Sequence, residues 1–260
     1  MERLVPEAER WPADRSNPVY EHLGAWWNNA PLVQDSFGGR LDTLELMRRA
    51  SQWLQYEGLR YAVEANLRSG AGTIPWQFNE SYPNAWCTSA VDWRGEPKPA
   101  YWGVARAYRP DHVSAAFDTP AWGGRRKVEA RPWGSAQARI LDVHGNVVAD
   151  GPVAPLDAIE TDVFLLDLDG RNRYVMTRTD NLAPLLDLPA AHVDVDVDVS
   201  VYIRNRSDVA AIGIVLESAP WTIFEDNMID LLPGEARTIG VRWAGEPQLR
   251  VEGWNVSARV

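Results

Sequence analysis

The stretch Gly72-Thr73-Ile74-Pro75-Trp76-Gln77-Phe78-Asn79-Glu80-Ser81-Tyr82, with Pro83-Asn84-Ala85-Trp86 behind it, decides how this chain is read. A long helical pattern ends just before it, at Ser69-Gly70-Ala71-Gly72. A turn, Asp92-Trp93-Arg94-Gly95-Glu96-Pro97, follows it and leads into a second helical pattern. A short apolar run between two helices predicts a strand of a βα unit over residues 73–78. The end of that strand is polar and aromatic: Trp76, Gln77, Asn79, Glu80, Tyr82 and Trp86. Ligands of parallel α/β folds bind at the carboxyl ends of strands. The stretch therefore reads as one wall of a binding site, and its aromatic rings point to a sugar.

Working outward, Leu44, Met47, Trp53, Leu54, Tyr56, Leu59, Ala62 and Val63 recur at three- and four-residue spacing. That spacing predicts a helix over 41–69, with Arg60, Glu64, Asn66 and Arg68 on its wet face and Gly70 as its stop. A second helix is predicted over 98–108. Pro99 suits its first turn, and Pro110 blocks its continuation. Residues 1–40 are rich in Pro, Asn, Trp and Gly. They are expected to hold one short helix over 19–27 and otherwise loop. Trp26-Trp27-Asn28-Asn29 is a second aromatic-polar cluster, readable as loop packing or as a wall of a sugar subsite.

From residue 111 the pattern changes to short strands with turns between them: 112–117, 127–131, 138–143, 147–149, 161–166 and 173–179. Val193, Val195, Val197, Val199, Val201 and Ile203 then alternate with Asp194, Asp196 and Asp198. That alternation predicts one long half-buried strand. Further strands are expected at 211–216, 236–241 and 249–256. The spacing is that of an all-β sandwich. Two immunoglobulin-like modules, 111–181 and 182–260, are expected; one larger irregular sandwich is the alternative.

Two motifs carry a family resemblance. WQFNESYPNAW (76–86) and VDWRGEPKPAYWGVARAY (91–108) resemble the last barrel strand and helix of family 2 glycoside hydrolases. The likeness is to the β-mannosidase and exo-β-glucosaminidase branch, which reads W-Q-x-N-[DE]-x-[WY]-P and then G-x-x-K-P-A-Y-[YW]. Near the end, EDNMIDLLPGE (225–235) is similar to a D-N-x-x-x-L-x-P-G-E segment of the family's C-terminal immunoglobulin-like domain. The resemblance implies α/β plus all-β architecture: residues 1–110 as the last segment of a (β/α)8 barrel, then two sandwich modules. It implies a retaining mechanism with two Glu, both expected upstream of Met1, so no catalytic residue is expected in this chain. It implies Trp76 as a platform under the sugar, Asn79 as a hydrogen-bonding neighbour and Glu80 as a binding or supporting carboxylate, with Trp86 in the same wall. A core tryptophan at 76 and a structural salt bridge at 80 are the plainer alternatives.

A full (β/α)8 barrel takes about 250 residues. The helical part here covers residues 1–110 and has one barrel strand, so it cannot close. The chain is expected to be a fragment, a split product, or one that meets its missing half as a separate chain. The expected partners are thus a β-linked saccharide and the N-terminal part of the barrel.

Composition narrows the other classes. The net charge of −10 argues against nucleic acid, whose phosphates call for basic patches. The single cysteine, Cys87, excludes a disulfide framework and any multi-cysteine metal site. No apolar run approaches the roughly 18 residues of a membrane span, and Met1-Glu2-Arg3-Leu4 with the charged residues after it is not expected to act as a signal peptide, which says nothing of a longer parent chain. The thirteen Trp serve cores and sugar stacking equally well. Asp194, Asp196 and Asp198 lie about 7 Å apart along a strand, too spread for one ion without help from loops. The four histidines are scattered. No cofactor and no metal site is expected. Asn79, Asn205 and Asn255 each begin an Asn-x-Ser sequon, of consequence only in a glycosylating cell. Two functional classes remain. One is the C-terminal part of an exo-β-glycosidase. The other is a non-catalytic carbohydrate-binding or structural β-sandwich, which would account only for residues 111–260.

Overall fold

The computed structural model of the chain describes residues 5–22, 29–81 and 89–259. The chain is mostly β with few helices and divides into two compact units, Met1–Arg106 and Ala107–Val260.

The first unit holds α1 (Pro18–His22), α2 (Ala30–Ser36), α3 (Leu44–Arg68) and α4 (Pro99–Ala107). The short helix expected over 19–27 is described only as far as His22. Residues 30–36, expected as loop, are helical, with proline in the first turn where its missing N–H is harmless. Thr43 caps α3, its hydroxyl accepting from the Leu46 N–H at 3.2 Å. The periodicity locates α3, but its wet face differs from the expected one: Arg60 and Glu64 are buried, 2% and 1% exposed. Arg60 donates to both oxygens of Glu57 and to the Tyr56 hydroxyl. A charge can be buried at acceptable cost when it is paired in this way, and the hydrophobic pattern does not register it. Gly103 of α4 lies over the Tyr56 ring, where a Cβ would come within 2.9 Å of a ring carbon.

The second unit shows sixteen strands among the described residues. The first eight are β1 (Ser114–Ala116), β2 (Lys127–Glu129), β3 (Arg131–Trp133), β4 (Ala138–Asp142), β5 (Val147–Ala149), β6 (Val153–Pro155), β7 (Val163–Leu168) and β8 (Asn172–Thr177). They form a four-stranded sheet of order β5-β4-β7-β8 and two small pairs, β1-β3 and β2-β6. Every residue of β7 is buried, as its near-continuous apolar sequence requires for an interior strand.

The second eight are β9 (Ala191–Val197), β10 (Ser200–Asn205), β11 (Ala211–Glu217), β12 (Ile223–Phe224), β13 (Ile229–Leu231), β14 (Ala236–Arg242), β15 (Arg250–Glu252) and β16 (Val256–Arg259). They form a five-stranded sheet, β12-β14-β10-β9-β16, and a three-stranded one, β13-β11-β15. The strand expected over 249–256 is two strands, the second pairing parallel with β9. A bulge interrupts β11 between Ala211 and Ile214. Gly213 there has φ +65°, a conformation that glycine adopts without a Cβ clash. Its N–H is taken up by the Asp230 carboxylate at 2.7 Å.

The expected long strand over 193–203 is a hairpin. Asp198 and Val199 form its turn, and Val197 sits opposite Val201, Ile203 opposite Val195. The inward face is as expected: Val193, Val195, Val201 and Ile203 are buried. Val199, placed on that face by the alternation, is 79% exposed. Paired positions sum to an even number, so odd residues face inward on both arms and the alternation runs through the turn unbroken.

The Asp167 carboxylate has no exposed surface and lies between Arg139 and Arg173, both at 2.8 Å. Arg173 of β8 reaches on to both oxygens of Glu235, at 2.6 and 2.7 Å. Glu235 ends the turn Leu232-Pro233-Gly234-Glu235, and its carboxylate accepts from the Leu232 N–H. Burial pushes the Glu235 carboxyl up, but the hydrogen bonds and charge of Arg173, with the Leu232 N–H, more than offset this. Its pKa ends below the ordinary carboxylate range.

This packing makes two expectations measurable. Burying a valine contributes roughly 1.5–3 kcal/mol, and a carboxylate there would also be unpaired. Val195→Asp should therefore unfold the second unit in thermal melts. Val199→Asp should stay within about 0.5 kcal/mol of wild type, as surface changes do; equal losses from the two would contradict the hairpin. The depressed Glu235 pKa also contributes stability that is fully present above the ordinary carboxylate range and lost as pH falls through the lower folded value. The stability gap between wild type and Glu235→Gln, measured by urea titration, should accordingly narrow on acidification. A gap independent of pH would exclude the ion pair as its source.

Candidate functional site

The candidate wall is positioned by hydrogen bonds from a neighbouring segment. Ala90 donates its N–H to the Gln77 carbonyl (3.0 Å) and Val91 to that of Phe78 (2.8 Å), while Glu80 donates to Val91 (3.3 Å). The Gln55 side chain of α3 donates to the Ser89 carbonyl at 3.2 Å, and Lys98, just before α4, donates to Ala90 at 2.9 Å. The Asp92 carboxylate accepts from the N–H groups of Arg94 and Glu96, closing the turn between them. Residues 77–80 are thereby tied to α3 and to the start of α4.

The strand expected over 73–78 is not formed as a ladder. Among the described residues the segment takes part in an isolated bridge only, Asn79 with Val91, parallel. Pro75 supplies no N–H to a ladder, and no strand of the described residues lies alongside positions 73–76. The Trp76–Gln77 peptide bond is cis. Ile74, Trp76 and Phe78 are 95%, 79% and 66% exposed.

Trp76 is therefore not a core tryptophan in this chain. Glu80 is buried, and its carboxylate accepts from the Gln77 amide at 2.9 Å. No salt bridge to Glu80 occurs among the described residues, so the plainer alternative for it takes the form of a hydrogen-bonded, not an ion-paired, carboxylate. Asn79 is exposed and donates to the Glu80 carbonyl at 3.3 Å. Gln77 and Glu80 are thus brought together. Gln77 is visible in the motif, but its role as the partner holding Glu80 is apparent only from the geometry. Trp86 lies outside the described residues, as do Tyr82, Cys87 and the Trp26-Trp27-Asn28 cluster. Among the described residues no three His, Cys, Asp or Glu are grouped to hold a metal ion. Asp194 is paired with Arg206 at 2.6 Å. No helix of the described residues is long and apolar enough to cross a membrane.

In the second motif, 225–235, Asn227, Asp230 and Glu235 make structural contacts. The Asn227 amide accepts from and donates to the backbone of Leu216, both at 2.8 Å. Asp230 takes the bulge N–H, and Glu235 holds Arg173. Asn227 is buried and Asp230 and Glu235 are half-buried, and each satisfies a polar partner of another segment, which explains why these residue types stand at these positions.

Residues 172–256 match the exo-β-D-glucosaminidase Ig-fold domain family. No curated protein sequence matches the chain. Among solved structures, the chain is similar to the β-D-mannosidase of Dictyoglomus thermophilum, with 17% identity and a TM-score of 0.70 over 98% of this chain and 35% of that one. It is also similar to the exo-chitosanase of Amycolatopsis orientalis, with 16% identity and a TM-score of 0.65 over 91% of this chain and 39% of that one. The chain thus matches between 35% and 39% of the length of these relatives, and at such identities the likeness is one of fold. The match on β8 to β15 and the two structural neighbours agree with the motifs at 76–108 and 225–235: this chain resembles the C-terminal part of a family 2 glycoside hydrolase.

Proposed function

We propose that the chain is the C-terminal portion of a retaining exo-β-glycosidase of β-mannosidase-like type, hydrolysing O-glycosyl bonds. In this reading residues 1–110 are the last segment of a (β/α)8 barrel. The wall at 76–80 closes one side of the sugar site, and the partner of this surface is the N-terminal part of the barrel. The observation that carries it is the pairing of an exposed indole at Trp76 with a buried, amide-held carboxylate at Glu80 only four residues on. A pyranose has an apolar face of C–H groups that an indole can cover, while polar neighbours such as Asn79 bind the hydroxyls. Retaining hydrolysis needs two carboxylates about 5–5.5 Å apart, one as acid and one as nucleophile. Glu80, held by Gln77, acts in this reading as a supporting group, and the two catalytic carboxylates belong to the rest of the barrel. A second reading, a non-catalytic carbohydrate-binding or structural β-sandwich, would account only for residues 111–260.

Two measurements test the proposal. The purified chain should turn over none of the aryl β-mannoside, β-glucosaminide or β-galactoside substrates. Turnover that Glu80→Gln abolishes would overturn the assignment of the catalytic pair to the missing part. Trp76→Ala should leave the melting temperature of this chain unchanged, where truncating a core tryptophan costs about 3–5 kcal/mol. In the enzyme completed with its barrel, the same substitution should lower kcat/KM strongly. Normal kinetics there would remove Trp76 from the sugar site.

A further inference from the structure

The three Asn-x-Ser sequons meet very different surroundings. Asn205, the last residue of β10, is fully buried. Its side-chain nitrogen gives one hydrogen to the Val209 carbonyl at 2.8 Å and the other to the Leu231 carbonyl at 3.0 Å, and its oxygen accepts from the Ser207 N–H. Asn255, between β15 and β16, is 8% exposed. Its nitrogen gives its hydrogens to Pro189 at 2.8 Å and Ala210 at 2.9 Å, and its oxygen accepts from the Ile212 N–H. Each amide thus joins backbone groups of separate segments, with both of its donor hydrogens in use and its oxygen engaged. Asn79 differs: it is exposed, and its nitrogen makes one long bond, 3.3 Å to the Glu80 carbonyl.

N-glycosylation joins the anomeric carbon of an oligosaccharide to this same nitrogen. The bond from that carbon to a lipid pyrophosphate breaks, the lipid pyrophosphate leaves, and the amide gives up one of its two hydrogens. At Asn205 and Asn255 the lost hydrogen is one already given to a backbone carbonyl, and the sugar would have to occupy the position of that carbonyl. A buried acceptor left without its donor is costly, and a hydrated glycan has no room in a packed interior.

We propose that the native fold forbids N-glycans at Asn205 and Asn255 and admits one at Asn79, so that this chain is built for synthesis where Asn-x-Ser sequons are not modified. The transfer takes place on the nascent chain, before either amide is protected, so in a glycosylating compartment the modification would compete with folding. For Asn205 and Asn255 the inference does not depend on the proposed enzymatic role; Asn79 lies in the wall proposed above, and its openness is that of this chain alone.

The test is to direct the full chain into the secretory pathway of a glycosylating eukaryotic host, as wild type, Ser257→Ala, and Ser257→Ala with Ser207→Ala. Ser257 is exposed, so its loss removes one acceptor while leaving the Asn255 side chain intact. Ser207 also accepts from the His192 N–H at 2.7 Å. The melting temperature of the double variant made in a bacterial cytosol therefore supplies its folding reference, and wild type grown with an inhibitor of lipid-linked oligosaccharide synthesis supplies an arm with no substitution. Site occupancy is read by mass spectrometry and folding by protease resistance. The expected result is glycan on Asn79 alone in protease-resistant material, glycan on Asn205 or Asn255 only in aggregated or degraded chains, and secreted yield rising several-fold in the variants and with the inhibitor. Protease-resistant chains glycosylated at Asn205 or Asn255 would overturn the proposal. So would a wild-type yield equal to that of Ser257→Ala and of the inhibitor-treated culture.

Discussion

A carboxylate with no access to water governs the second unit. Asp167 sits in β7 between Leu166 and Leu168, on a strand buried along its whole length. Its burial is tolerable only because Arg139 and Arg173 both reach it. Arg173 is fixed in turn by Glu235, at the turn before β14. The chain of charges therefore ties the four-stranded sheet to the start of a strand more than sixty residues away. The buried amides of Asn205, Asn227 and Asn255 do comparable work on neutral ground: Asn205 and Asn255 join backbone groups from separate segments, and Asn227 takes both backbone groups of Leu216. Apolar burial drives a sandwich to collapse, but many registers bury similar area. A polar group that fits in one place only gives the native arrangement its advantage over the others.

How much of this is legible in the sequence depends on what each signal reports. Spacing of apolar residues finds α3 and α4 because helix burial repeats every three to four residues, and Gly70 marks the end of α3 by local chemistry. The same spacing fails at Arg60 and Glu64, since it counts charge as exposure and cannot see a pairing made with Glu57 or Arg68. The short strands β3, β6, β12 and β13 escape it because two or three residues are too few to show a period. The expected strand over 73–78 rests on an apolar run, Thr73-Ile74-Pro75-Trp76, whose pairing depends on neighbours and not on its own composition.

The candidate wall illustrates the same division. Residue identities in WQFNESY are enough to single out Trp76, Asn79 and Glu80 as a polar-aromatic group. They do not say that Glu80 is buried while Trp76, four residues before it, is open, nor that Gln77 holds the carboxylate. Those facts come from the hydrogen bonds that residues 89–91 make to 77–80, and from the anchoring of Ser89 by Gln55 across more than thirty residues of sequence.

The β9–β10 hairpin has a consequence for how this region tolerates changes of length. Residues added at Asp198-Val199 lengthen the exposed turn and leave Val201 and Ile203 facing inward, because β10 is held on its other side by β14. A single residue added within the paired part of β10 would instead turn every position beyond it over and send inward side chains toward water. Tolerance of length changes here is therefore set by whether they fall in the turn or in an arm, a constraint invisible to any comparison of residue types.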